Sequence, residues 1–388
     1  MPTPLASFDR YAQPVGESPA AQARNAALLA EYDYARYVSA LTGYSGQDRQ
    51  RIAAMRWQSA VRTRVGPRGN YKAGMAQLPD GRLMLASCRQ YPNAEPSKTY
   101  FGIQVYTSED VGLTWQPLEH TPLFGKEPAL VALPDGTLVM TAQRLDQGPD
   151  AVNDTIYVSR SRDGGHTWEV REQPGTDYPR RILIEPDGSL LYIRALHEDW
   201  ANSGKGSSHL ELLRSDDGGG TWRSSEGHVD WDYQAFGEVC ALRLRDGRLL
   251  AALRRQMPGT EGEGFEDTVL TESTDDGRTW CAPWRLTRTG EVHVYLTELA
   301  DGRLLATHSN YHLPWGVSAI LSADGGQTWS NDAPLLLALS GSYSVGWPVT
   351  LQLADGSLIT AYAATTYTEQ EPEHVTCEVV RWRMPEGL

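Results

Sequence analysis

Residues 78–86 read LPDGRLMLA, and the phrase returns as LPDGTLVMT from Leu133, EPDGSLLYI from Glu185, LRDGRLLAA from Leu244, LADGRLLAT from Leu299 and LADGSLITA from Leu353. The Asp residues are 80, 135, 187, 246, 301 and 355, so the unit recurs every 52 to 59 residues. Asp-Gly between two apolar runs favours a tight turn with a left-handed Gly, and the Leu-rich flanks read as the two strands of a hairpin. A fixed period of this length marks a repeat architecture and decides the fold.

A second phrase, S-x-D-x-G-x-T-W, falls between the hairpins: SEDVGLTW from Ser108, SRDGGHTW from Ser161, SDDGGGTW from Ser215, STDDGRTW from Ser273 and SADGGQTW from Ser322. This is the Asp box. Its carboxylate can accept backbone N–H bonds across the turn, its Gly permits a left-handed kink, and its Trp drives an apolar ring between neighbouring sheets. Hairpin, third strand, Asp box and outer strand make one four-stranded blade, so the expected fold is all-β, a six-bladed β-propeller. The sixth unit provides a hairpin and then HVTCEVVRWRM from His374, and Leu388 follows with no fourth strand. The alternating MRWQSAVRTRV from Met55 is expected to pair there, making residues 55–388 a propeller closed by its N-terminal strand.

Residues 1–54 read as a helical extension. Ser18-Pro19 is an N-cap followed by a first helical residue, AAQARNAALLAEYDYARYVSAL is rich in helix formers, and Gly43 ends it. A second short helix is expected from Ser45 to about Trp57. These helices suit packing on the propeller or a homo-oligomer contact.

The 388 residues carry a formal charge of −14, which disfavours nucleic acid and anionic membrane surfaces as partners. The first twenty residues show neither a basic start nor an apolar run, so a cytoplasmic location is expected. Cys88, Cys240, Cys281 and Cys377 are isolated in sequence, with neither CxxC nor Cys/His ligand spacing, so no metal, cofactor or disulfide framework is implied.

Propellers hold ligands at one mouth of the central channel, near the starts of inner strands and the ends of second strands. Eight residues before each turn Asp stand Lys72, Glu127, Pro179, Glu238, His293 and Trp347. Seven to nine residues after it stand Arg89, Arg144, Arg194, Arg254 with Arg255, and His308 with Asn310. A basic ring inside an acidic protein suggests a funnel for an anion, since guanidinium groups grip carboxylates bidentately. A solvated or ion-paired loop Arg is the bland reading of any one of them.

The segment FGEVCALRLRDGRLLAALRR, from Phe236, resembles the stretch of the sialidase superfamily in which a Glu opens an inner strand and an Arg closes the next. The resemblance implies that Glu238 activates a nucleophile, that Arg254 holds a substrate carboxylate and that Arg89 is a second carboxylate-binding Arg. It runs from about Met55 to the C-terminus. The chain departs from that pattern in three places. Trp347, in GWPVTLQLADG, stands where the family has a Tyr nucleophile, with Tyr343 four residues earlier. QYPNAEPSKTY offers Glu95 and no Asp for the acid/base, and HSNYHLPWGVSAIL lacks the third Arg.

The leading expectation is an exo-acting glycoside hydrolase that removes a terminal acidic sugar, or a sugar next to a uronate, from an anionic glycan. Glu127 and Glu238 would be its two carboxyl groups, and their separation would set the stereochemical outcome. A polysaccharide lyase is the alternative, with cations on a uronate and His293 or a Tyr as base; His293 and Tyr295 alternate in EVHVYLTEL and so are expected on one side of a strand. A glycan-binding propeller without catalysis is the third.

Overall fold

The computed structural model describes residues 56–57, 60–92, 99–144, 155–175, 180–195, 209–229, 238–256, 266–312, 315–340, 346–366, 374–385 and 387. Its strands form six sheets, one per sequence repeat, with the hairpin and third strand of each following one another in chain order. The inner strands are Asn70–Gln77, Lys126–Ala132, Ile182–Ile184, Cys240–Arg243, Glu291–Glu298 and Gly346–Gln352. Each pairs antiparallel with the second strand of its hairpin. The all-β six-bladed propeller expected from the repeat is the fold of the protein.

The DG turns are alike in all six blades. In the first, Gly81 N donates to Leu78 O at 2.9 Å, Leu78 N donates to Arg82 O at 2.8 Å, and Gly81 has φ 90°. This is the three-residue hairpin loop in which a left-handed Gly forms the bulge. The Asp boxes share a second geometry. In SRDGGHTW, Ser161 Oγ donates to Asp163, Gly165 N donates to Ser161 Oγ at 2.9 Å, Thr167 N and Oγ1 both donate to Asp163, and Trp168 Nε1 donates to Gly165 O at 2.7 Å. Each box packs the Gly at its fifth position on the preceding blade: Gly112 meets Ile359, Gly165 meets Met84, Gly219 meets Val139, Gly277 meets Leu212 and Gly326 meets Leu270.

Closure of the ring differs from expectation in one detail. Ala60–Val65 pairs antiparallel with His374–Trp382, from Ala60 opposite Trp382 to Val65 opposite Cys377, and is the fourth strand of blade six. Arg56–Trp57 is instead a separate short strand, parallel to Leu335–Leu339 at the edge of blade five. The segment from Met55 therefore spans two blades, and at Arg56–Trp57 the chain is extended where the second helix was expected. The remaining helical readings, together with Glu95, Pro179 and Tyr343, lie outside the described residues. Arg62, 1% exposed, fastens the closing strand: its guanidinium donates to Tyr362 Oη at 3.1 Å and to Leu337 O, and Tyr362 Oη donates to Glu378 Oε2 at 2.7 Å.

Two tests follow. Deleting residues 1–65 removes the fourth strand of blade six and leaves an unpaired edge, so cooperative thermal unfolding is expected to disappear, whereas deleting only the residues before Ser18 leaves it intact; circular dichroism melts separate the two. In the first Asp box Val111 stands at φ 60°, where three of the other boxes have Gly164, Gly218 and Gly325. A left-handed β-branched residue is strained by roughly 1–2 kcal/mol, partly offset by the greater unfolded-state freedom of Gly. Val111→Gly should therefore raise stability by about 0.5–1 kcal/mol in denaturant titration.

Candidate functional site

Lys72, Glu127, Glu238, His293 and Trp347 share one backbone conformation. Their φ values are 49°, 56°, 69°, 56° and 45°, left-handed in every case. In four of the five blades the inner strand slips register at this point, between Tyr71 and Ala73, Lys126 and Ala129, Val292 and Tyr295, and Gly346 and Val349. Each is a bulge that re-aims one side chain, and a left-handed non-Gly residue costs about 1–3 kcal/mol, which a well-packed surrounding must sustain. The position eight residues before the turn Asp is thus a repeated structural device. Pro179 holds it in blade three, and Pro cannot adopt positive φ.

The five side chains meet. Lys72 forms a salt bridge with Glu127, and its ammonium lies 3.8 Å from the centroid of the Trp347 ring. Trp347 Nε1 donates to Glu238 Oε1 at 3.3 Å, and the His293 ring stacks on the indole at 4.2 Å. Arg254 Nη1 reaches Glu238 Oε1 at 3.2 Å and His293 Nε2 at 3.1 Å, while its Nη2 donates to Glu266 Oε1 at 2.7 Å. Because a guanidinium only donates, His293 Nε2 is the acceptor and the ring proton sits on Nδ1, bonded to Ser309 Oγ at 2.9 Å. Ser309 Oγ also accepts Trp347 N–H at 3.0 Å. Ser309, bonded to both the His293 ring and the Trp347 backbone, thus supports the left-handed turn at Trp347. Ser309 is 0% exposed and is no nucleophile.

The electrostatics follow from burial among cations. Burial alone would raise the Glu238 carboxyl, but Arg254, Lys72 and Arg180 outweigh it and hold Glu238 below the ordinary range, ionised. His293 is pushed well below its usual value by burial and then by Arg254, Arg180, Lys72 and Lys126, so the ring is neutral at neutral pH. Burial brings Lys72 down to about 8, against the pull of Glu127. Lys72, Lys126, Arg180 and Arg254 face Glu127, Glu238 and Glu266, which leaves one formal positive charge at the centre of a protein of charge −14.

The second-strand arginines do not all join this cluster. Counted from the turn Asp, Arg89 and Arg144 stand at nine, Arg194 at seven and Arg254 at eight. Side chains alternate along a strand, so Arg254 points to the face opposite the others. Arg194 is spent on Glu211 within its own blade, Arg255 on Asp267, and Asn310 donates to Ser318 at 2.7 Å. Half-buried Arg89 lies against Gly69 and Arg144 is half-buried at the end of its strand. Of the second-strand arginines named above, Arg254 is therefore the one whose contacts lie in the cluster, with both of its amino groups engaged by protein carboxylates. Tyr295 also departs from expectation: the bulge at His293 breaks the alternation, and Arg181 lies 5.1 Å over the Tyr295 ring. Sequence reasoning missed Ser309, Glu266, Tyr311 and Arg180. Ser309 was findable, since it stands eight residues after Asp301 as Arg254 does after Asp246.

Residues 53–226 match the family model of the BNR repeat-like domain. A sialidase from Micromonospora viridifaciens is 26% identical over 256 residues, which cover 59% of this chain and 39% of that protein. The chain is therefore similar to a sialidase in sequence and carries a BNR repeat-like segment. The match takes in well under half of the length of that relative. Among solved structures, a protein of unknown function from Dyadobacter fermentans aligns with TM-score 0.64 at 21% identity, over 82% of this chain and 96% of its own. NanB sialidase from Streptococcus pneumoniae aligns with TM-score 0.58 at 13% identity, over 88% and 72%. The GH93 α-L-arabinofuranosidase of Fusarium graminearum aligns with TM-score 0.57 at 16% identity, over 81% and 93%. Among the described residues, the floor of this propeller is a network of largely internally paired charges.

Removing Arg254 tests that network. In the wild type the stability contributed by Glu238 is present above its unfolded value near ~4.3 and is lost as pH falls through the lowered folded value. Arg254→Leu lets burial dominate, so the Glu238 carboxyl should titrate above the ordinary range, followed by NMR of the labelled side chain. The unpaired charge should cost about 3–5 kcal/mol at neutral pH, relieved on acidification, which reverses the wild-type trend.

Proposed function

We propose that the protein is an exo-acting glycoside hydrolase, with Glu127 and Glu238 as its two carboxyl groups, acting on a terminal sugar that is anionic or adjoins a uronate. The observation that carries this reading is the placing of two carboxylates at equivalent left-handed positions of blades two and four, with Lys72 ion-paired to one and electrostatically coupled to the other. Two such groups at one channel mouth are what glycoside hydrolysis requires: one carries a proton to or from the glycosidic oxygen or water, the other stabilises or captures the oxocarbenium-like centre. Glu238, ionised among Arg254, Lys72 and Arg180, suits the second role. Glu127, whose Oε2 has no partner among the described residues, suits the first.

The excess of cations over carboxylates at the floor supports an anionic ligand, with Lys72 and Arg180 as the nearest attractive groups. Arg254 enters this reading as the residue that orients Glu238, because its Nη1 and Nη2 are already bonded to Glu238 and Glu266. Trp347 is only 8% exposed, with its indole against His293 and Lys72, and contributes a wall and a donor to Glu238. The lyase alternative loses support because both nitrogens of His293 bond within the protein and burial keeps it from gaining a proton.

The relatives direct the search for a substrate toward sialosides and arabinofuranosides, and the uronate reading adds glucuronides. A chromogenic panel with product mass measurement should show a gain of water. Glu127→Gln and Glu238→Gln should each lower kcat by roughly 10²–10⁴-fold with the fold intact. Wild-type turnover in both variants would overturn the assignment, and unsaturated products would point to a lyase. Glycan binding without turnover in the wild type would leave a binding propeller.

A further inference from the structure

Glu127 and Arg180 line a half-open cavity of about 20 Å³ at the channel floor, counted as space open to the centre of a water molecule. Its walls include Lys72, Glu127, Arg180 and Trp347, with Pro128 and Val349 as apolar lining. Two polar atoms of the wall residues are buried and without a partner among the described residues: Glu127 Oε2 and Arg180 Nε. Glu127 has 7% of its side chain exposed, and Arg180 is 8% exposed. Arg180 is anchored independently, since its Nη2 donates to Pro348 O at 3.0 Å and its backbone N donates to Val239 O at 3.2 Å.

One of the two unpaired atoms accepts and the other donates. An anion would face the Glu127 oxygen, and a cation would face Lys72 and the Arg180 guanidinium. An apolar group would leave both atoms unpaired, an arrangement that folded proteins avoid. A single oxygen bearing a proton satisfies both, by donating to Glu127 Oε2 and accepting from Arg180 Nε–H. The volume agrees, because roughly 10–15 Å³ by this measure is the least that holds one water.

We propose that this cavity is a binding site for one hydroxylic oxygen, bridging Glu127 of blade two and Arg180 of blade three: a water in the free protein, or a hydroxyl of the terminal sugar when a glycan occupies the funnel. The site deepens the hydrolase reading by making Arg180 the residue that orients Glu127. It is read from the floor itself, so it stands or falls separately from turnover.

The test is crystallographic and uses the full chain. Unliganded crystals should show one density peak at ~2.7–3.2 Å from both Glu127 Oε2 and Arg180 Nε. Crystals soaked in sodium bromide should give no anomalous peak there. Glu127→Leu, which removes the acceptor, should abolish the peak while Arg180 keeps its bond to Pro348. Soaks with L-arabinose and D-glucuronate separate the two sources: a sugar oxygen replacing the peak identifies the hydroxyl subsite, and a peak that persists beside the sugar identifies a fixed water. A bromide peak, a protein side chain filling the space, or an unchanged peak in Glu127→Leu would overturn the proposal. Loss of turnover in Glu127→Gln with no such peak would keep the hydrolase and discard this site.

Discussion

Everything at the centre of this molecule depends on closing a ring of twisted sheets. Six sheets that each pack on the next have no stable end, because a sheet edge offers unpaired N–H and C=O groups. The chain solves this by pairing Ala60–Val65 with His374–Trp382, so that residues from both ends of the propeller share blade six. Arg62, Tyr362 and Glu378 add a buried polar chain across that seam, and Trp382 Nε1 donates to Thr360 Oγ1 at 3.0 Å inside it. A fully satisfied buried network of this kind specifies one register, since a slipped strand would leave a guanidinium without acceptors.

A closed ring in turn makes the axis a shared place. Inner strands from separate blades converge there, and short deviations in each bring together groups far apart in sequence. Lys72, Glu127, Glu238, His293 and Trp347 come from five blades and adopt the same left-handed turn. Strain of this sort persists only where packing and hydrogen bonds over-determine it. The Ser309 bonds to Trp347 N and His293 Nδ1 show that support directly. Blade three, with Pro179 at this position and an inner strand of only Ile182–Ile184, extends arginines into the channel instead. Arg180 reaches Pro348 O on blade six and Arg181 reaches Leu296 O on blade five.

The charges of the floor are mutually dependent. Glu238 is held ionised by Arg254, Lys72 and Arg180 against the opposing effect of burial, and the neutral His293 is the member whose protonation the surrounding guanidinium groups oppose. Such a network fixes geometry more than it adds stability, because desolvation offsets much of the attraction. It also limits the free donors left for a ligand, and this separates the present site from a plain arginine clamp.

The sequence alone determined the blade count, the hairpin turns, the Asp-box turns and the need for a closing strand. Those features are local, or repeat often enough that chance is excluded: Asp-Gly needs a left-handed Gly, and S-x-D-x-G-x-T-W closes on itself within eight residues. The position eight residues before each turn was legible for the same reason, since a repeat carries a device from one blade to the next. Tertiary structure decided the rest. A one-residue difference in spacing turned Arg254 toward the axis and the other arginines away, and no count of charged residues reveals which face a pleat presents. The bulge at His293 undid the alternation that would have placed Tyr295 beside it. Arg180 acquired its place through contacts with blade six, where its Nη2 donates to Pro348 O, and a contact between distant blades has no signature in the linear chain.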